Sequence, residues 1–431
     1  MSPQTPSAAP ADHSGARAAA RHGWVQALVA VLAGLVVMGV VAALGLWASG
    51  ATDLPDNAYP RVVAATLVTA VGGTVEFTGD AGAIAETKAG LTVIPLSVTL
   101  AGALVLGAGF LRPLRHRAVA GARELAGWAG RIAVLWVLVL IGLALAARQT
   151  FQVDLGNGTI GAIGDLFGAT PEVGFKADMA QTLVFGVLWL VGVLVIALLV
   201  ARGAPLPARL LRFQESVRPA AYAMVLLLLT CVGIGAVIGL VVAATRGHAA
   251  ETFAVMLLGL PNVVWLAFTI GLGATWNGRV DGPFGLPMPH LLDEVLRTPD
   301  ISAVNLRTLS DYDGRIWWLV VIDAVLLLGA AFLMAARSPA RVRAWQHALR
   351  MALALALTVL MICLLGRISA HYGLSILGLG DIDGGLKGEI FLKPQVWGAL
   401  GFAVLWGLVT GLLGALLAKG VRRRGEVGSA G

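Results

Sequence analysis

The sequence predicts an all-α polytopic membrane protein. It reads as two tandem parallel repeats, each of four transmembrane helices plus one re-entrant or interfacial segment, with small extracellular β-hairpins. Three observations predict this. Long uncharged runs recur along a chain that is 58% hydrophobic and 13% charged, about half the charge of an ordinary soluble domain. Basic residues gather in alternate loops, the pattern that orients membrane helices. Short strings also recur in the same order in the two halves of the 431 residues, the mark of an internal repeat.

Residues 1–23 are rich in Ala, Pro, Ser and Arg, lack apolar periodicity, and read as a disordered cytoplasmic tail. The run 24–48 is too long for the roughly 7–15-residue core of a signal peptide, so it is a retained first helix. Further runs at 91–111, 132–147, 180–201, 220–245, 316–336, 351–366 and 396–418 bring the spanning set to eight, since a crossing helix needs about 17–25 residues. The chain thus divides into a membrane repeat at 24–201, a cytoplasmic linker at 202–219, a second repeat at 220–418 and a basic cytoplasmic tail at 419–431. Two apolar pieces stand apart: 61–73, which is too short to cross, and 252–275, which carries Pro261 and Asn262 near its middle.

Charge decides between topologies. With the N-terminus inside and only the eight runs crossing, inside segments hold 19 Lys/Arg against 4 Asp/Glu, and outside segments 12 against 19. If 252–275 also crossed, the acid-free loop bearing Arg337, Arg341, Arg343 and Arg350 would be exported. Parity therefore predicts a non-spanning segment, with both termini on the cytoplasmic side of the cell membrane.

The repeat supports the same reading. Residues 60–74 align without gaps on 261–275, with identities at Pro60/Pro261, Val62/Val263, Val63/Val264, Gly72/Gly273 and Thr74/Thr275. Arg131 and Arg148 match Arg350 and Arg367, and Val187-Leu-Trp189 matches Val404-Leu-Trp406. Four crossings per half is an even number, so the halves insert the same way up, about a pseudo-two-fold axis along the membrane normal. Pro261 removes a backbone donor, so helix–break–helix is expected there. Alternating stretches with Gly-containing turns at 74–82, 151–160 and 375–384 predict hairpins on the outer face, with a short helix near Pro289–Leu296.

Six residues are candidates for transport or ligand contact. Asp323 is the one acid inside a spanning run; it reads either as part of an ion path or as a rim side chain within reach of water. Arg148 and Arg367, at the outer ends of equivalent helices, are either anion or headgroup ligands or interfacial anchors. Pro60, Pro261 and Asn262 mark the non-spanning segments, which in transporters with repeats lie near the solute site.

No metal-ligand spacing, Walker A sequence or nucleophile elbow is present, so neither a cofactor nor an enzymatic activity is expected. Arginines beside apolar runs argue against nucleic acid despite the net charge of +7. Membrane lipids are the expected partners, with a small solute or an envelope protein left open. Cys231 and Cys363 read as small buried hydrophobes, and Gly407/Gly411 as a helix-packing pair. Two functions stay open: a permease- or channel-like protein with a site between the repeats, or a non-transporting scaffold or accessory protein of the cell envelope.

Several strings resemble a known family. Val71-Gly-Gly-Thr-Val-Glu-Phe-Thr-Gly-Asp80, Ile94-Pro-Leu-Ser-Val-Thr-Leu-Ala-Gly-Ala-Leu-Val-Leu106 and Phe110-Leu-Arg-Pro-Leu-Arg115 look like the streptophobe family of actinomycete integral membrane proteins. Pro171-Glu-Val-Gly-Phe-Lys-Ala-Asp178, Leu260-Pro-Asn-Val-Val-Trp265 and Leu374-Ser-Ile-Leu-Gly378 add to the likeness, which covers most of the chain. The resemblance implies a polytopic membrane location and brings no functional residues with it.

Overall fold

A computed structural model describes residues 13–54, 58–80, 85–116, 122–152, 172–201, 208–280, 302–339, 342–376 and 388–420. Its helices and strands follow the chain as α1 (His13–Ala48), α2 (Tyr59–Ala70), β1 (Val75–Asp80), β2 (Ala85–Thr92), α3 (Leu96–Leu111), α4 (Ala122–Ala146), β3 (Arg148–Gln152), β4 (Glu172–Ala177) and α5 (Met179–Val200). The second half continues as α6 (Ala208–Thr245), α7 (Ala249–Gly271), β5 (Trp276–Val280), β6 (Ser302–Val304), α8 (Leu306–Tyr312), α9 (Trp318–Arg337), α10 (Ala344–Leu365), β7 (Ile368–Ile376), β8 (Gly388–Pro394) and α11 (Val396–Leu417).

Among the described residues eight helices are long and apolar enough to cross a membrane. Val184 and Val325 are each 65% exposed, and Leu353 64%. In water such faces would have to be covered; against hydrocarbon they are already in a matching solvent. The chain is an integral membrane protein.

Helix bounds differ from expectation at two places. α1 starts at His13, so residues 13–23 extend the first helix instead of forming a tail. α6 starts at Ala208, inside the stretch expected to be a linker.

Length and composition select α7 as a spanning candidate and leave out α3, which has 16 residues. Packing direction separates the two differently. α3 runs antiparallel along α1, with Leu106 against Gly34, Met38 against Gly102 and Ala30 against Gly109. α7 runs antiparallel beside α6, with Met256 against Gly239 and Leu260 and Val264 against Gly235, and it also meets the sheet-side ends of other helices. Leu257 and Leu258 meet Gly45 in the last turn of α1, and Gly271 meets Leu319 and Asp323 near the start of α9. α6 begins at the opposite end, where Gln214 Nε2 donates to Leu198 O at 2.7 Å beside the end of α5. It therefore returns the chain to the sheet end, and α7 begins there.

The expected break at Pro261 is not present. α7 is one helix from Ala249 to Gly271 with the proline inside it, because another element satisfies the backbone where the ladder weakens.

The strands form one antiparallel eight-stranded sheet, in the order β3-β4-β1-β2-β7-β8-β5-β6, in place of the separate small hairpins expected. β2 and β7 join the halves through eight residue pairs, from Ala85↔Ile376 to Thr92↔Ser369. With β1–β4 matched to β5–β8 in chain order, the strands that meet at this junction are β2 and the counterpart of β3. The helix expected near Pro289–Leu296, and most of 151–160 and 375–384, lie outside the described residues.

Each half has its own apolar core. Val31, Met38, Leu106, Phe110, Trp136 and Leu140 pack in the first. Leu227, Phe268, Leu327, Leu355 and Val359 pack in the second, which also takes in Leu96 of α3. Gly407 and Gly411 bring α11 against the backbone of α10 at Ala352 and Ala348, and Gly414 brings it against Ala331 of α9. A Cβ at position 411 would stand 2.8 Å from Ala348 Cα, so only glycine permits that approach.

Candidate functional site

Pro60 occupies the first turn of α2, a position where the missing N–H removes no helical hydrogen bond. α2 ends at Ala70, whose carbonyl accepts from Thr99 Oγ1 at 2.6 Å. Its counterpart Pro261 is held differently. Ser97 Oγ, in the first turn of α3, accepts from Leu260 N at 3.1 Å and donates to Met256 O at 2.8 Å. Those are the two groups a regular helix would pair. The neighbouring Asn262 accepts from Leu96 N at 3.1 Å through Oδ1 and donates to Ile94 O at 2.9 Å through Nδ2. A side chain of α7 thus caps α3, whose first N–H groups have no partner within the helix. Pro60, Pro261 and Asn262 have architectural roles in this geometry.

Asp323 stands at the junction of α6, α7 and α9, within the second half and away from the seam between halves. It is 3% exposed, and its Oδ2 has no hydrogen-bond partner among the described residues. Gly271, the last residue of α7, packs directly onto that oxygen, and a Cβ there would overlap it. The other ionisable residue of α9, Arg337, is at the far end of the helix, with its guanidinium 4.1 Å from the ring centroid of Tyr222. α11 carries no ionisable side chain. A lone ionised carboxylate in such surroundings is costly, so the group is stable only when it holds a proton or a cation.

Arg148 and Arg367 are both exposed. Arg148 begins β3, the edge strand, whereas Arg367 precedes β7, four strand steps away in the sheet. At about 4.8 Å per step the two positions are about 19 Å apart. The six candidates are therefore not brought into one site. Among the described residues no group of three His, Cys, Asp or Glu side chains could hold a metal.

Four residues that matter here escaped the sequence reading: Ser97, Gly271, Arg61 and Lys176. Ser97 and Gly271 act on partners more than 50 positions away, which no local spacing signals. Lys176 and Lys393 recur at the offset that relates Trp189 to Trp406, and that was a usable signal. No family model, curated protein or solved structure matches the chain.

Proposed function

We propose that this membrane protein is permease-like, with Asp323 as its ion-handling group. The single observation behind the reading is the unpartnered Oδ2 of a carboxylate that is only 3% exposed, inside an apolar helix. Intramembrane acids of this kind commonly mark proton or cation paths. Two further features support it. Each half follows the order long helix, shorter helix, two strands, crossing helices and two more strands before a final helix, as an internal duplication would. α2 and α7 hold corresponding places in the two halves, each directly after the long first helix, and in repeat-built transporters such paired segments lie near the solute path. The arginine count supports a sheet on the outer side of the plasma membrane, both termini in the cytoplasm, and lipids as the surrounding partners. The streptophobe likeness agrees with that location and adds no activity, and an enzymatic role has no residue set behind it.

The test is proton or cation flux into liposomes reconstituted with the full chain, driven by an imposed pH or potential difference. Wild-type protein should give flux above protein-free vesicles, and Asp323→Asn should lower it at least tenfold. Equal flux in the two proteins would end the role of Asp323, and flux no higher than in protein-free vesicles would end the permease reading.

A second reading, a non-transporting envelope scaffold, is favoured by the seam itself. There Ser97 and Asn262 lock α3 to α7 through four hydrogen bonds of 2.8–3.1 Å. Absence of any flux, with the sheet crosslinking to another envelope protein, would select it.

A further inference from the structure

We infer that Arg61, Arg148 and Lys176 form a binding site for a phosphate group at the β3 end of the sheet. Three separate elements contribute: α2 through Arg61, β3 through Arg148 and β4 through Lys176. They line a cavity of about 350 Å³ whose remaining walls include Gln149, Thr150 and Gly174, with no acidic side chain among them.

The local geometry holds these cations together. Arg148 and Lys176 face each other directly in the β3–β4 register, so their side chains project from one face. Like charges directly opposite each other destabilise an antiparallel pair. Arg61 adds a third charge, its guanidinium donating to the Gln149 side chain and, at 3.3 Å, to Arg148 O. Gly174 keeps the strands close, since a Cβ there would stand 2.8 Å from Gln149 O. Glu76 lies across from Lys176 on the β1 side, and none of the three cations forms an ion pair with a described residue. An oxyanion would remove the mutual repulsion and use the arginine forks as tetrahedral phosphate requires.

Position points to the same ligand. Arg148 is two residues beyond the end of α4, and Lys176 three before the start of α5. These are the levels at which helices leave the apolar layer and lipid phosphates lie. A lipid headgroup and a soluble phosphate share this chemistry.

The second half supplies an internal control. Arg367 and Lys393 are the counterparts of Arg148 and Lys176, but Asn262 replaces Arg61 and is engaged at the start of α3. β7 is also flanked by β2, whereas β3 has β4 as its one neighbour among the described residues.

The test uses the purified full chain in a neutral detergent. Retention of phosphatidylglycerol against phosphatidylcholine is read by native mass spectrometry, and the thermal midpoint is read with added inorganic phosphate or pyrophosphate. Wild type should prefer phosphatidylglycerol or be stabilised by the phosphates. The triple variant Arg61→Gln/Arg148→Gln/Lys176→Gln should lose that response at least about tenfold, as expected for removing charge-assisted hydrogen bonds. The pair Arg367→Gln/Lys393→Gln should behave as wild type. Preference for the lipid without any phosphate effect assigns the site to a headgroup; stabilisation by free phosphate assigns it to a soluble ligand. Should the triple variant lose helical content, Lys176→Gln alone, at an exposed position, gives the reading in milder form. Unchanged binding in the variants, or equal loss in the second-half pair, overturns the site. The readout is independent of flux through Asp323.

Discussion

Ser97 Oγ stands between Leu260 N and Met256 O, accepting from one at 3.1 Å and donating to the other at 2.8 Å. The hydroxyl of one helix is thereby inserted in the ladder of another, one residue before Pro261. It explains how α7 continues through a residue that ordinarily ends a helix. Ser97→Ala should lower stability by about 1 kcal/mol, because the two freed groups can partly re-pair. A thermal-inactivation midpoint in detergent reads this, and a stabilised variant would contradict the assignment.

Asn262 should be costlier to replace. Both ends of its amide are used, on Leu96 N and Ile94 O, and no nearby group can take them over. Asn262→Leu is expected to cost about 2–3 kcal/mol, with flux per folded molecule unchanged. A selective loss of flux without loss of stability would make Asn262 a ligand after all.

Gly271 and Asp323 should be coupled. A Cβ at 271 overlaps the carboxylate oxygen, so Gly271→Ala should destabilise by about 1–3 kcal/mol. In an Asp323→Ala background the same change should cost much less, and a double-mutant cycle measures the difference. Additive effects would mean that the two side chains do not meet.

The α10–α11 contact is another close approach. Gly411→Leu should force the helices apart and cost about 3 kcal/mol or more, whereas Gly398→Ala, with open space around it, should be neutral. Similar losses at both positions would argue against that packing.

Topology can be read by cysteine labelling from outside intact cells, since both native cysteines are buried. A cysteine at exposed Asp311 should react, and one at exposed Lys419 only after permeabilisation. Ser338 is 1% exposed and would be silent on either side. The reverse labelling pattern would invert the arrangement.

Much of the helical layout was legible because hydrophobic runs need only length and the absence of charge. Bounds such as His13 for α1 were not, since the polar His13–Arg21 stretch has no apolar face to announce a helix. Asp323 was visible as a lone acid in an apolar run. Its contact with Gly271 was not, because it joins positions 52 apart. Arg61 and Lys176 were missed for the same reason: register between β3 and β4 alone makes neighbours of Arg148 and Lys176.

The sequence by itself determined an integral membrane protein of many apolar helices, because transfer into hydrocarbon is additive along a run and needs no knowledge of neighbours. Tertiary structure decided that α7 stays whole, that the strands join in one sheet through β2 and β7, and where the cations meet. Those outcomes depend on hydrogen bonds and excluded volume between distant residues such as Ser97 and Leu260, which composition and spacing do not encode.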